Sequence, residues 1–182
     1  MTRTLKAALP VVLAGCLSIA AILWYVNHAN REGTPQSICG TKVSRNLSEP
    51  LLGAGGKITE QNRVDRKKPE PSSWCEVRVD GRVALSMRFA WHPDAVDPLK
   101  VAESSDSVSN IGEPARLVSR YEIALGNNGA ISTVQCRTDV GSYFTLTLLL
   151  EKANPTSRNH RESIEKFIRT YFPVTVKGVS CA

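Results

Sequence analysis

Two histidines after Gly33, His92 and His160, are the first residues to consider for acid–base chemistry, because the chain contains only three histidines in all. Neither lies at a spacing from serine, cysteine or carboxylate that is typical of a catalytic triad or a metal site. Asp94 and Asp97 follow His92 in a proline-rich segment, where paired carboxylates are usually solvated. We therefore predict no catalytic residue, no metal ligand and no cofactor.

Four of the five cysteines lie beyond residue 33, at positions 39, 75, 136 and 181. No two of them have the C-x₂₋₄-C spacing of zinc ligands, and an even number favours disulfides. Disulfide formation would consume the thiols and so argues against a catalytic cysteine. We predict two disulfides, and the spacing alone leaves three pairings open.

Aromatic and basic side chains supply the candidate binding residues. Trp74 precedes Cys75, and Trp91 and His92 end a predicted strand. Packing is the commoner role for such tryptophans, and an aromatic platform for a glycan or a peptide is the functional alternative. The basic cluster 63–69 is interpreted as a solvated loop, with an anion-binding patch as the alternative. The glycine-rich segment 52–57 departs from the phosphate-loop pattern and predicts a turn.

An apolar run without charge from residue 7 to residue 26 determines where these residues would act. Its length suits one transmembrane helix. Arg3 and Lys6 precede it, so the positive-inside rule predicts a cytoplasmic N-terminus and an external C-terminal domain. We predict a cytoplasmic segment 1–6, a signal-anchor helix 7–26, a linker 27–36 and an extracytoplasmic domain 37–182. The predicted location is the cell membrane, with a single pass.

A second interpretation of the same segment is lipoprotein processing. Leu13-Ala14-Gly15-Cys16 is similar to the lipobox of bacterial lipoproteins, in which cleavage precedes the cysteine and lipid is attached to its sulfur. Cys16 is thus a candidate lipidation site. Residues 17–26 remain apolar, which favours the uncleaved helix.

Period-2 alternation predicts an antiparallel sheet in the external domain. Odd positions are apolar from Cys75 to Val79, from Val83 to Trp91 and from Leu117 to Leu125. Even positions are apolar from Ser132 to Cys136 and from Phe144 to Leu150. Residues directly opposed in a hairpin share a face, so we predict three turns that satisfy this parity. They are the three-residue loops 79–81 and 139–141 and the two-residue turn Asn128-Gly129.

Helical spacing of Ile164, Phe167, Ile168 and Tyr171 predicts a C-terminal helix across the apolar face, ended by Pro173. The chain would then return to place Cys181 near Cys136, which predicts the pairs Cys39–Cys75 and Cys136–Cys181. Segment 41–73 predicts at most a short helix near residues 50–52, and segment 93–114 a turn of helix near 99–101. The predicted fold class is α+β, with an antiparallel sheet of about five strands and a C-terminal helix packed on one face, preceded by one N-terminal transmembrane helix.

Short motifs distributed over the external domain resemble those of small actinobacterial membrane-anchored cell-envelope proteins of unknown function. More distantly, they are similar to the extracellular sensor domains of mycobacterial serine/threonine kinases. The resemblance implies an α+β domain with two disulfides and a ligand-binding cleft, and it carries over no catalytic residue. A kinase domain is absent from the sequence. The motifs are 38–40, 51–53, 74–77, 112–115, the Cys136 strand, and the helix 161–171 before Cys181.

Together these features predict a membrane-anchored, extracytoplasmic, non-catalytic binding or sensor module of the bacterial cell envelope. The partners would be the membrane, through residues 7–26, and a wall component or a membrane protein, with no nucleic acid. An accessory or structural subunit of a membrane complex is the alternative. A wall-active hydrolase is less favoured, because it needs His92 or His160 near a nucleophile or paired carboxylates.

Overall fold

A computed structural model describes residues 37–66, 70–104, 110–179 and 181. It confirms an α+β fold with a large antiparallel sheet and a C-terminal helix. The strands are β1 (Ser37–Ile38), β2 (Thr41–Lys42), β3 (Ile58–Asp65), β4 (Ser72–Val79), β5 (Arg82–His92), β6 (Ala115–Leu117), β7 (Glu122–Leu125), β8 (Gly129–Gln135) and β9 (Tyr143–Leu150), and the helices are α1 (Arg45–Leu52), α2 (Pro98–Glu103) and α3 (Arg161–Gly178). The large sheet has seven strands, in the order β3-β4-β5-β9-β8-β7-β6, and a separate hairpin pairs β1 with β2.

The expected strand number was too low for two reasons. Strand β3 lies in the polar segment that the sequence predicts as a loop for lack of apolar alternation, and none of its residues is fully buried. The single strand predicted from Leu117 to Leu125 is a hairpin, in which Leu117 of β6 opposes Ile123 of β7. The exposed residues 118–120 form its turn, where the Ser119 hydroxyl donates to the Tyr121 carbonyl oxygen at 2.8 Å.

The apolar residues of β4 and β5 share one face, as predicted, but not by means of the predicted three-residue loop 79–81. The turn has two residues, Asp80 and Gly81, both with positive φ of 51° and 77°. Such a turn alone would place the apolar residues of one strand opposite the polar residues of the other, as it places Val79 opposite Arg82. A β-bulge between Val77 and Arg78 shifts the register, and beyond it Val77 opposes Leu85. One extra residue in the bulge therefore restores the apolar pairing that the sequence requires.

The other two hairpins keep the apolar residues on the predicted faces, but their pairing registers are shifted by two residues from the predicted ones. Between β7 and β8 the two-residue turn is Asn127-Asn128, because the Gly126 N–H donates to the Gly129 carbonyl at 2.9 Å. Ile123 consequently opposes Ser132 rather than Val134. Between β8 and β9, Val134 opposes Phe144, and the loop is longer than the three residues expected. In both hairpins the faces are assigned correctly and the pairing is not.

The main core lies between α3 and one face of the sheet. Cys75, Cys136 and the even positions of β9 from Phe144 to Leu150 are buried there, as the alternation predicts. Four predicted helix residues, Ile164, Phe167, Ile168 and Tyr171, are at most 1% exposed. Burying each phenylalanine contributes about 1.5–3 kcal/mol to the free energy of folding.

Helix α3 continues through Pro173 to Gly178, so the predicted end at Pro173 was wrong. Proline cannot donate to the carbonyl of Arg169 and disfavours a helix interior by about 3 kcal/mol. Phe172 and Thr175 on either side are buried in the core, and the Thr175 hydroxyl donates to the Tyr171 carbonyl at 3.1 Å. Packing of this last turn outweighs the local preference of the proline.

Two disulfides join Cys39 to Cys75 and Cys136 to Cys181, which are the pairs expected from the strand and helix arrangement. Their Cα atoms lie 5.8 and 4.7 Å apart. The first ties the β1–β2 hairpin to β4, and the second ties the segment after β8 to the residues after α3. Both therefore connect the helix layer or the N-terminal hairpin to the sheet.

The predicted transmembrane segment 7–26 and the candidate lipidation site Cys16 lie outside the described residues. Among the helices that the structure describes, none combines the length and hydropathy needed to span a bilayer.

The disulfides generate a stability prediction. Replacing both Cys39 and Cys75 by alanine should lower the free energy of unfolding by about 3–4 kcal/mol, because the bond closes a loop of 36 residues. Urea denaturation of the full chain and the double variant measures this change. Intact mass after alkylation should show no modification of Cys39, Cys75, Cys136 or Cys181 before reduction and modification of all four afterwards; four modified thiols before reduction would contradict the two disulfides.

Tyr171 generates a pH prediction, because its buried hydroxyl donates to the Ile38 carbonyl at 2.8 Å. Burial raises the pKa of Tyr171 to about 12. The unfolded chain loses this proton near pH 10, so between pH 10 and 12 the free energy of unfolding should fall, by roughly 2–3 kcal/mol. Tyr171→Phe should lack this loss, while costing about 1–3 kcal/mol at neutral pH because the Ile38 carbonyl loses its donor.

Urea denaturation at several pH values compares the two proteins. Tyr121→Phe is the control, since its ring also contacts α3, at Phe172. That substitution should change stability at neutral pH by less than about 0.5 kcal/mol. A difference between wild type and Tyr171→Phe that stays constant from pH 9 to pH 12 would contradict the assignment.

Candidate functional site

An open groove of about 760 Å³ lies on the sheet face opposite α3. The floor comes mainly from the positions of β4, β5 and β9 that the core face does not use, and the core residues Cys75 and Met87 also border it. Strand β3 forms one wall and α2 forms the other. The lining residues are Gln61, Arg63, Trp74, Cys75, Glu76, Arg78, Ser86, Met87, Arg88, Lys100, Val101, Ser104, Thr147, Leu149 and Glu151.

Three residues from adjacent strands form the centre of the groove. Trp74 of β4 lies directly opposite Arg63 of β3 and Arg88 of β5. The guanidinium carbons of Arg63 and Arg88 lie 4.7 and 5.1 Å from the centre of the Trp74 ring. Each contact is a cation–π interaction worth about 0.5–1 kcal/mol at an exposed site. One aromatic ring therefore holds two cationic groups on one row of the sheet.

Helix α2 is held beside this row by a cap and by a small core of its own. The Asp97 carboxylate accepts hydrogen bonds from the Leu99 and Lys100 amides at 3.0 and 3.4 Å and pairs with Arg116 at 2.7 Å. Burial would raise the pKa of Asp97, but these hydrogen bonds outweigh it and lower the pKa. The carboxylate thus stays ionised, and it fixes the end of α2 that carries Lys100.

The apolar contact of α2 is made with β7 and β8. Ala102 packs there with Ala124 and Ile131, with Leu99 and Leu149 at the margin. The helix consequently covers the β7–β8 side of this face and turns Lys100 and Val101 toward the groove.

Two acidic residues in the groove already have partners. Glu76 pairs with Arg78 at 2.7 Å, and Glu151 accepts a hydrogen bond from the Ser86 hydroxyl at 2.6 Å. Within the described ranges, Arg63, Arg88 and Lys100 have no carboxylate within 4.0 Å of their charged nitrogens. Positive charge is therefore in excess at the centre and at the α2 wall.

Arg88 carries a further unsatisfied group. Its Nε atom is buried and has no hydrogen-bond partner among the described residues. A buried donor without an acceptor costs about 1–3 kcal/mol, more when it is charged. An oxyanion in the groove could accept from Arg88 and lie within the field of Arg63, since guanidinium groups bind carboxylate and phosphate in a bidentate manner.

The predicted binding residues divide between the two faces of the sheet. Trp74 lines the groove. Trp91 lies on the core face, where its ring is 5.1 Å from that of Phe144. His92 lies beyond the groove lining, with its Nδ1 atom 3.3 Å from a Glu70 carboxylate oxygen. Trp74 and Trp91 both border a smaller cavity on the core face, and His92 lines neither that cavity nor the groove.

Sequence reasoning missed most of the groove, and one signal for it was present. Trp74 and Arg88 occupy even positions in strands whose odd positions were assigned to the core, which places both on the opposite face. The sequence places Arg63 in a basic cluster and predicts a loop there, so it gives Arg63 no position beside Trp74. It predicts a turn of helix around Lys100 but does not place that helix relative to the sheet.

Neither His160 nor the glycine-rich segment 52–57 lines the groove. His160 precedes the first residue of α3, and Gly53 caps α1 by donating its N–H to the Glu49 carbonyl at 2.8 Å. Potential metal ligands of Cys39, Glu60 and Cys75 come within 4.8 Å of one another. Both sulfurs are joined in a disulfide, and Glu60 accepts a hydrogen bond from the Cys39 amide at 3.0 Å.

A second cavity, of about 440 Å³, lies on the core face between β3 and the end of α3. Its walls include the rings of Phe89, Trp91 and Phe144. Asn62 and Val64 contribute from β3, and the Val64 side chain is 61% exposed. This apolar pocket and the basic groove thus lie on opposite faces of the sheet and share β3 as a wall.

Comparison with known proteins adds no relative: no protein-family model matches the chain, and no match was found among the curated proteins or the solved structures.

Proposed function

We propose that the chain is a membrane-anchored, extracytoplasmic, non-catalytic binding module of the bacterial cell envelope, and that its groove holds an anionic ligand. The membrane attachment would be the apolar segment 7–26, or a lipid on Cys16. Disulfides persist in oxidising compartments outside the cytoplasm, so the two cysteine pairs support the external location.

One observation carries the ligand assignment. Arg63 and Arg88 contact the same tryptophan ring at 4.7 and 5.1 Å, and neither has a carboxylate partner in the described chain. Surface arginines are commonly solvated singly, whereas here two are aligned on one row by strand pairing. Neighbouring strands are about 4.8 Å apart, so the two arginine Cα atoms are separated by roughly 10 Å across the tryptophan.

The arrangement suits an anion for an electrostatic reason. Two like charges on one row repel each other, and a negative group that contacts both offsets that repulsion while gaining attraction to each. The strands hold the backbone of both arginines in place before binding, which lowers the entropy lost when the ligand is bound. Lys100 on the opposite wall adds a third cation that can reach a ligand lying along the floor.

Substitution of the arginines tests this proposal. Arg63→Gln and Arg88→Gln should each weaken binding of inorganic polyphosphate by about 10-fold or more, because each removes a charge-assisted contact worth about 1.5–3 kcal/mol. Isothermal titration calorimetry on the full chain in mild detergent at low salt measures the dissociation constant.

Arg82→Gln is the matched control. Arg82 is exposed and lies outside the groove lining, and its substitution changes the net charge by the same amount. Its affinity should stay within about 2-fold of that of the wild type. An equal loss in Arg82→Gln would reduce the effect to net charge alone, and no loss in Arg63→Gln and Arg88→Gln would refute the proposed ligand site.

A further inference from the structure

We propose that β3 is a docking strand, to whose free edge an extended segment of a partner protein adds, with acidic and apolar side chains in alternation. This inference rests on the proposed function, since it identifies the anionic groups in the groove as acidic side chains of that segment.

The phase of the β3–β4 ladder shows which backbone groups face outward. The Asp80 N–H donates to the Lys57 carbonyl at 3.0 Å, so this pair is a hydrogen-bonded one. Hydrogen-bonded and non-bonded pairs alternate along an antiparallel ladder. Gln61 and Arg63 therefore bond to β4, whereas Glu60, Asn62 and Val64 direct their N–H and C=O groups away from it.

These outward groups are available in the described part of the chain. Strand β3 is the last strand of its sheet on that side, and β4 is the strand with which it pairs. No described residue forms a backbone hydrogen bond with the outer edge of Glu60, Asn62 or Val64. An added strand could satisfy these groups with main-chain hydrogen bonds, which give affinity in recognition by strand addition.

The two faces of β3 supply specificity. Gln61 and Arg63 line the basic groove, while Asn62 and Val64 line the apolar pocket. Directly opposed residues of paired strands share a face. A partner residue opposite Arg63 therefore points to the groove, and its neighbour opposite Val64 points toward the pocket beside Trp91.

The positive charge of the groove favours an added strand with acidic side chains. A carboxylate opposite Arg63 would lie about 5 Å from it on the same face, and a second carboxylate two residues along would lie opposite Gln61. Apolar side chains at the alternate positions would cover Val64, which is 61% exposed. A second copy of β3 would bring another Arg63 as well as Asp65 to this face, so a strand with only acidic residues at these positions complements the charge of the groove better.

Amide hydrogen exchange on the full ¹⁵N-labelled chain in mild detergent tests the inference. The probe is a capped seven-residue peptide that alternates glutamate and valine, and the control is a peptide of the same composition in two blocks. The alternating peptide should slow exchange of the Glu60, Asn62 and Val64 amides at least 10-fold. The amides of Gln61 and Arg63, already bonded to β4, should change far less.

A substitution at the edge complements this measurement. Asn62→Pro removes an outward N–H and leaves the β4 ladder bonds in place, as edge positions allow. It should weaken binding of the alternating peptide at least 10-fold, whereas Asn62→Ala should bind within about 3-fold of the wild type. Val64→Lys, which keeps the backbone unchanged, should also weaken peptide binding and serves if the proline variant does not fold.

The outcomes separate the two proposals. Polyphosphate binding that depends on Arg63 and Arg88, together with unprotected edge amides in the presence of the peptide, would overturn the docking strand and leave the groove assignment standing. Failure of both probes would overturn both. Edge amides already protected in the free chain, a concentration-dependent dimer abolished by Asn62→Pro, or equal protection by the block peptide would each overturn strand addition by an acidic partner.

Discussion

Successive side chains of a strand face opposite sides of the sheet, and the candidate site depends on this constraint as much as the core does. Cys75, Val77 and Met87 must face α3, because they are at most 2% exposed and pack in the main core. Trp74 and Arg88 are then forced onto the other face, on one row. A slip of one residue between β4 and β5 would exchange the core and the groove. The bulge between Val77 and Arg78 therefore maintains the groove of the candidate site as well as the packing.

Because side chains alternate along a strand, the sequence predicts which face of the sheet each residue occupies. The exact pairing registers of the strands depend on contacts between residues that are distant in sequence. The turn Asn127-Asn128 is buried, and the Asn128 side chain accepts from the Gly112 amide at 2.8 Å. Arg161 donates to the Asn127 side chain at 3.2 Å and to the Leu125 carbonyl at 2.9 Å. These long-range hydrogen bonds decide between Asn127-Asn128 and Asn128-Gly129, although Asn-Gly is the stronger local signal. The same kind of tertiary contact carries α3 through Pro173.

The groove was less predictable, because it depends on elements without apolar periodicity. Strand β3 has no fully buried residue, so its alternation leaves no hydrophobic pattern, and Arg63 could not be placed beside Trp74. The overall charge was also uninformative. Lysines and arginines outnumber acidic residues only slightly beyond the apolar segment, yet the groove lining has four basic side chains against two acidic ones, and one of these two, Glu76, pairs with Arg78. Local pairing of charges, which only the fold determines, sets the potential of the groove.

The exposed edge of β3 carries charged side chains that affect which other strands can pair with it. An exposed strand edge can pair indiscriminately with other chains, and charged side chains are a common protection against it. Glu60 and Arg63 provide such charges here, and Glu60 also accepts a hydrogen bond from the Cys39 amide at 3.0 Å. This protection is selective, because Arg63 attracts a strand with acidic side chains and repels a strand with basic ones. The arginine that discourages self-association would therefore also select an acidic partner, and the row Arg63–Trp74–Arg88 would extend that preference across the sheet.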